Sequence, residues 1–580
     1  MSVPAKDGTS LLTQTPLEIE GRLLPNDSGD CSPAPVSSAA WGDFGSNRAD
    51  LARGPSLTIF APQPPVHALL ASPTSPVTPP PSQLPASLPR SDSARLLLAH
   101  TTVWFLSAVA LLPGLDRFAD MHELYAWGMA PQWGTYKHPP LLSWLVGAWF
   151  RVFPAQDWAF HLLAVLNATL SVWLIGRFTR EVLEPDPGAV RWSQWAMAGA
   201  ALALSYGNLA LKLNMNTVLL PLWPLVAWAW WRSVRRATAW RAVALGLAAA
   251  LCLLGKYYSG VMLLCLLFAS LACAPGRAWL LTPAPYISLA VFVAALLPHG
   301  LWVARHDFIT LRYLNEQGGE AGFSMVMAAK FIAMALISAL IAAAVLGWTG
   351  RPWRRDEQLR AWRGALIVLA AGPAAVSLAL TAALDIELSS PWALPLGFAF
   401  APLVLAWARP ERPWPELRRS IIIALCVYWA LMMAGAGVGD WRKAQRADAG
   451  YYLAREELAQ AIAQAELQPA WVGGDWQYAA ALSFYSKQHP HAIPGLPGQG
   501  GAAVHTPAAW ASQTGLIVCP VASETQTHCL AQAQAWARAR GLATQQTRTT
   551  VRRQGWRFPL DVPSDFDLLW VRPQPPSGQP

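Results

Sequence analysis

The chain has 580 residues, of which 54% are hydrophobic and only 13% charged, whereas soluble proteins carry roughly a quarter charged residues. This excludes an ordinary soluble protein, because so much apolar surface has to be hidden in lipid. The net charge of +9 does not mark a nucleic-acid binder, since the arginines stand in short clusters between apolar runs rather than along one soluble face.

In chain order, residues 1–92 are rich in Pro, Ser and Ala, with runs such as Pro79-Pro80-Pro81 and no periodic apolar pattern, which predicts a disordered tail. The tail lacks the layout of a signal peptide, so the first hydrophobic stretch is expected to stay as a membrane anchor. Apolar stretches follow near 96–112, 158–176, 192–207, 215–231, 241–255, 258–273, 282–302, 324–348, 363–384, 392–408 and 420–438. Each has about the length needed to cross a hydrocarbon core roughly 30 Å thick at about 1.5 Å per residue. They predict an all-α polytopic membrane region over 93–440 with about eleven transmembrane helices.

The positive-inside rule orients these spans. One set of loops holds Arg177, Arg180 and Arg191, then Arg232, Arg235, Arg236 and Arg241, then Arg277, then the 351–363 arginines, then Arg409, Arg412, Arg418 and Arg419. The opposite set holds scattered single charges: Arg117, Lys137, Arg151, Lys212, Lys256, Arg305 and Arg312. With Arg90 and Arg95 ahead of the first span, the N-terminus is predicted to be cytoplasmic and the first loop, 113–157, extracytoplasmic. Losing one span from the 241–273 hairpin would invert everything after it.

Residues 441–575 return to soluble composition and are expected to form a small extracytoplasmic α/β or α+β domain. A helical pattern covers Tyr451 to Gln468, and strand-like runs cover Leu516–Cys519 and Asp567–Val571. Cys519 and Cys529 lie in this region, where an oxidising compartment favours a disulfide closing the short loop. Cys252, Cys265, Cys273 and Cys426 lie in or beside apolar runs and read as small hydrophobes.

The chemistry-bearing residues concentrate between Asp116 and Leu141. If the chain there is helical, Asp120 and Glu123 stand three residues apart on one face and aim both carboxylates at one site; the alternative is an interfacial loop with solvated charges and a tryptophan belt. Lys137 and His138 directly precede Pro139-Pro140. Proline suits the first turn of a helix, and a helix N-terminus beside cations suits phosphate; a plain helix start at an aqueous interface is the other reading.

The stretch Asp120 to Leu141, D-x-x-E-L-Y-A-W-G followed by G-T-Y-K-H-P-P-L, resembles the first extracytoplasmic loop of bacterial glycosyltransferase family 39. These are relatives of the protein O-mannosyltransferases and the lipid A aminoarabinose transferase, within the GT-C superfamily. Further similarity runs through Leu251 to Tyr257, Leu297-Pro298-His299 with Trp302 and Asp307-Phe308, Ser390-Pro391-Trp392 with Pro395, and Ala479 to Tyr485, covering roughly residues 95–490. The resemblance implies a GT-C fold in the bacterial inner membrane and inverting transfer of a sugar from a polyprenyl-phosphate donor to an extracytoplasmic acceptor: lipopolysaccharide, another glycolipid or a protein. It also implies an acidic base in the first loop. Most members carry adjacent Asp-Glu there; here His122 precedes Glu123 and the nearest aspartate is Asp120, so Asp120 and Glu123 stand together as candidates, with His122 behind them.

Apart from the resemblance, such a transfer needs a base for the acceptor hydroxyl and cations for the departing phosphate. The predicted topology puts Lys137, His138, Lys256, Arg305 and His306 at outer ends of spans. Lys256 could instead snorkel to the interface, and Arg305 could pair with Asp307. No histidine spacing indicates a metal site and no cofactor is required, although a divalent metal is compatible with the pattern. Two other functions fit many helices with few charges: a lipid or solute transporter, against which stands the lack of repeated halves, and an inactive member of the family. The C-terminal domain is expected to cover the catalytic loop or to help select the acceptor, with Trp476, Tyr478, Phe484 and Tyr485 as core or as a platform for sugar rings.

Overall fold

The computed structural model describes residues 91–112, 114–184, 186–313, 322–349, 351–355, 359–444, 453–521, 527–554 and 561–573. The tail predicted over 1–92 lies outside them except for its last two residues, which open the first helix. That helix is α1 (Ser91–Leu111), followed by α2 (Asp120–Met129), α3 (Leu141–Phe150), α4 (Asp157–Val182), α5 (Ala189–Leu202), α6 (Leu219–Arg235), α7 (Ala239–Gly255), α8 (Ser259–Leu271), α9 (Ala274–Leu280), α10 (Ala284–Arg305), α11 (Met325–Thr349), α12 (Arg363–Ala383), α13 (Phe400–Trp407) and α14 (Trp414–Ala444). Each of the eleven predicted apolar stretches falls on helical chain.

Among the described residues, six helical segments are long and apolar enough to span a membrane by themselves. A seventh span would join α8 and α9, which meet at a 106° bend. Some of the other stretches form shorter helices. Helix α5 stops after 14 residues and gives way to two 3-10 turns, Leu204–Tyr206 and Asn208–Ala210, while α7 has 17 residues, roughly 26 Å at about 1.5 Å per residue. The lipid-facing pattern is plain on α10, where Leu289, Val293, Leu297 and Leu301 are all exposed at every fourth position, one stripe of the helix. Inside the bundle Trp223, Trp230 and Trp231 are fully buried, and the Trp230 indole donates to Ser270 Oγ at 2.8 Å, so its polar atom is not left unpaired.

The segment predicted as the first loop carries two helices, α2 and α3. Asp116 accepts from the backbone N–H groups of Phe118, Asp120 and Met121, satisfying the otherwise free first turn of α2. Helix α3 begins directly after Pro139-Pro140. The two helices touch backbone to backbone: a Cβ on Gly147 would lie 2.3 Å from the Gly128 carbonyl oxygen, and one on Gly128 would lie 2.6 Å from the Gly147 nitrogen. Gly147→Val is therefore expected to force the pair apart and to lower the unfolding temperature in detergent, by the equivalent of about 1–3 kcal/mol or more for overpacking. An unchanged unfolding temperature would show that the crossing yields.

The C-terminal region carries α15 (Arg455–Ala463), α16 (Trp476–Tyr485) and α17 (Thr527–Ala539). Two short strands, β1 (Trp353–Arg355) and β2 (Ala408–Pro410), pair in the helical region. A five-stranded sheet belongs to the C-terminal region, made of β3 (Trp471–Gly474), β4 (His491–Ala492), β5 (Gly515–Pro520), β6 (Ala543–Gln554) and β7 (Asp561–Arg572) in the order β4-β3-β5-β7-β6. The β3, β4 and β5 pairings are parallel and the β5-β7 and β6-β7 pairings antiparallel. Strand alternation splits the core in two. Leu516 and Val518 face α15 and α16, while Ile517 and Cys519 face α17. Cys519 and Cys529 form a disulfide that ties the end of β5 to α17.

This sheet region leans on α2 through α16. Phe484 meets His122, Tyr125 and Phe150 edge to face, and the Tyr485 hydroxyl donates to Asp157 Oδ1 at 2.8 Å. Arg455, buried, donates to the carbonyl oxygens of Asp116 and Arg117 and to Gln477 Oε1, a three-way clasp on the turn that starts α2.

Candidate active site

Helix α2 turns Asp120, Glu123 and Trp127 towards a cavity of about 160 Å³, as positions i, i+3 and i+7 of one helical face must. The opposite wall comes from three places: Lys137 and His138 before α3, Asn214 and Asn216 from the chain that follows the two 3-10 turns, and Lys256 from the turn between α7 and α8, with Tyr313 alongside. Of the six residues predicted to form the site, the structure brings together Asp120, Glu123, Lys137, His138 and Lys256. It does not bring Arg305, which stands exposed at the end of α10 and does not line the cavity.

Glu123 is the enclosed carboxylate, 7% exposed. Its Oε1 accepts from Lys137 Nζ at 2.7 Å and from the Trp476 indole N–H at 2.6 Å. Burial pushes the carboxyl up to about 7, against the lowering pull of Lys137, while Asp120 adds to the rise and Trp476 opposes it. Burial also works against the charge on Lys137, but Glu123 and the neighbouring tyrosines outweigh it and the ammonium is held above its ordinary value. Asp120 is more open: its Oδ2 lies 2.8 Å from Lys212 Nζ and accepts from Asn214 Nδ2 at 3.3 Å. Lys256 Nζ donates to Asn216 Oδ1 at 2.5 Å and sits 4.9 Å from the Trp392 ring centre. Burial, then Lys256 and Lys137, holds the His138 ring down to about 3, so it stays neutral and offers one donor and one acceptor. His122 points the other way, against Phe484 and Tyr485, with neither ring nitrogen hydrogen-bonded.

The loop that carries Lys137 is pinned on several sides. Thr135 Oγ1 accepts from the N–H groups of Lys137 and His138, and the Thr135 carbonyl accepts from Thr310 Oγ1 at 3.0 Å. A Cβ on Gly134 would lie 2.4 Å from the Trp302 ring, so that residue must be glycine for the ring to lie flat. His299 bridges from the Trp133 carbonyl to the Tyr257 hydroxyl, the latter at 2.8 Å.

Four participants escape sequence reading as site residues: Lys212, Asn214, Asn216 and Trp476. The first three sit in Lys212-Leu-Asn-Met-Asn-Thr just before an apolar run, and that polar cluster at a span entry was the available signal. Trp476, expected as core or as a platform for sugar rings, lies 353 residues from its partner Glu123, and no local pattern announces that pairing. Among the described residues no group of three or more His, Cys, Asp or Glu side chains could hold a metal ion.

Residues 137–302 match the protein family described as dolichyl-phosphate-mannose-protein mannosyltransferase. The fold is similar to that of ArnT from Cupriavidus metallidurans in the apo state, with 15% sequence identity and a TM-score of 0.51 over 83% of this chain and 98% of that one. The same protein bound to undecaprenyl phosphate gives 16% identity and a TM-score of 0.52 over the same shares. The family match covers residues 137–302 only, and at 15–16% identity the likeness to the solved structures is one of fold. No curated protein matches it by sequence. The family match opens on Lys137, the partner of Glu123, and closes on Trp302, the ring over Gly134. It takes in Asn214, Asn216 and Lys256 but leaves out both carboxylates and Trp476, so the matched segment holds the cationic wall of the cavity and not its carboxylate side.

Proposed function

We propose that this protein moves a sugar from a polyprenyl-phosphate carrier to an acceptor on the extracytoplasmic side of the bacterial cytoplasmic membrane, with inversion at the anomeric carbon. The observation that carries this reading is one cavity faced by a buried carboxyl, Glu123, and two lysines: Lys137, which Glu123 helps to keep charged, and Lys256, which burial lowers to about 7. The solved ArnT holding undecaprenyl phosphate and the dolichyl-phosphate family description support a lipid phosphate as the donor's leaving group.

In this scheme Glu123 removes the proton from an acceptor hydroxyl, and the freed oxygen attacks the anomeric carbon as the bond to the phosphate oxygen breaks. A base whose pKa lies near the working pH suits that task. The polyprenyl phosphate leaves with its added charge facing Lys137 and Lys256, while neutral His138 donates or accepts a hydrogen bond beside them. Displacement from one face gives inversion. Asp120, already neutralised by Lys212, serves as the second carboxylate that orients the acceptor side. Lipid A or another part of lipopolysaccharide, a glycolipid or a protein all present suitable hydroxyls.

The charge pattern of the loops supports a cytoplasmic N-terminus with residues 113–157 and the C-terminal region from 441 facing the periplasm, and a disulfide between Cys519 and Cys529 fits that compartment. Membrane-impermeant thiol labelling of single cysteines in intact cells is expected to reach the 113–157 segment and to miss the arginine-rich loops; the reverse pattern defeats the reading. The deciding test is mass spectrometry of envelope glycolipids and glycoproteins from cells with and without the gene. A loss of one sugar mass from a single product is expected. An unchanged glycan profile together with a change in lipid or solute flux would favour a transporter.

A further inference from the structure

The C-terminal sheet region hydrogen-bonds Glu123 through the indole of Trp476. Its Nε1–H donates to Glu123 Oε1 at 2.6 Å, while Lys137 Nζ donates to that same atom at 2.7 Å. Glu123 Oε2 takes no hydrogen bond from any described residue, yet the side chain lines the cavity. Two donors on one oxygen fix the plane of a carboxylate and leave the other oxygen available to accept a proton. The indole itself is held in place. It stacks on Trp127, with ring centres 6.4 Å apart and planes at 25°, and it opens α16, whose first turn is capped by Asp475 through the N–H groups of Gln477 and Tyr478.

We propose that Trp476 is a positioning residue for the transfer: the C-terminal region completes the active site by locking Glu123 with Oε2 turned to the acceptor hydroxyl. This inference rests on the reading of Glu123 as the base. The charged and titratable groups facing Glu123 are Asp120 from its own helix, Tyr136, Lys137 and His138 from the pinned loop, Lys256 from the turn after α7, and Tyr313. Of the groups hydrogen-bonded to the carboxylate, Trp476 is the one that carries no charge and cannot titrate, so its removal alters geometry and hydrogen bonding without altering the count of charges in the cavity.

The test compares Trp476→Phe with Tyr485→Phe in full-length protein in membranes. The first keeps a ring against Trp127 and loses the N–H. The second removes the contact to Asp157 that also joins the two regions but does not touch Glu123. For Trp476→Phe we expect a fall in kcat of about tenfold, a donor KM changed by less than about twofold, and an acid limb of the pH–rate profile moved up by about one unit. The sign follows because the lost hydrogen bond had favoured the ionised carboxylate. For Tyr485→Phe we expect the wild-type limb. Infrared titration of the protonated carboxyl C=O band, assigned with Glu123→Gln, should show the same upward move without any turnover. That readout separates the two ideas. A moved band with no effect on transfer refutes Glu123 as the base, whereas an unmoved band, or an equal shift in Tyr485→Phe, refutes the positioning role of Trp476.

Discussion

Glu123→Gln is expected to lower sugar transfer by about 10²–10⁴-fold, the range for removing a positioned general base, while Asp120→Asn lowers it by about tenfold. The asymmetry follows from surroundings rather than residue type. Glu123 is shut between Lys137 and Trp476 and pushed up to about 7, so near neutral pH it can both hold and release a proton. Asp120 is open to solvent and already committed to Lys212 and Asn214. The amide in Glu123→Gln keeps the volume and can still accept from Lys137, so the loss measures proton transfer and not collapse of the cavity. Rates in membranes normalised to protein amount would check this. If Asp120→Asn proves the more damaging change, the base is Asp120, one helical turn before Glu123.

Lys137→Met should be nearly as severe, costing about 10²–10³-fold, comparable to removal of one preorganised donor from a developing anion. The substitution acts twice. It removes a cation from the wall proposed to receive the phosphate, so the donor KM rises. It also removes the strongest influence lowering the Glu123 pKa; the folded-state carboxyl then titrates at higher pH, and the acid limb of the rate profile moves upward. Methionine keeps much of the apolar stem, so packing loss is kept small, while the ammonium over the Tyr136 and Tyr313 rings is given up. A rise in donor KM with an unmoved acid limb would separate Lys137 from Glu123 and leave it only the phosphate role; wild-type kinetics would remove it from the site altogether.

Much of this arrangement was legible in the residues themselves. Apolar run length located the helices, because a membrane imposes one solvent along the whole span, and the spacing of Asp120 and Glu123 foretold their shared face. The number of spans was less legible, because run length does not register the unwinding at Leu204 to Ala210 or the 106° bend between α8 and α9. In the C-terminal region β5 and β7 announce themselves by apolar runs, whereas β6, reading Ala-Thr-Gln-Gln-Thr-Arg-Thr-Thr, is an edge strand with most of its side chains in solvent and shows no such signal. Arg305, weighed as a phosphate ligand or as a partner of Asp307, is exposed at the end of α10 and is not among the residues lining the cavity. Trp476 stood out in the aromatic cluster of the C-terminal region, but its bond to Glu123 was not legible, since it arises only when two parts of the chain more than three hundred residues apart are folded together.

The crossing of Gly128 and Gly147 bears on how a long lipid enters. Where peptide groups rest directly on each other there are no rotamers to re-sort, so the helix bearing the carboxylates acts as a stiff strut. Room for the proposed carrier would then come from the facing wall, where Lys256 and Tyr313 stand. Accommodation of different donors would be tuned there, while the proton-accepting side keeps a constant geometry from one turnover to the next.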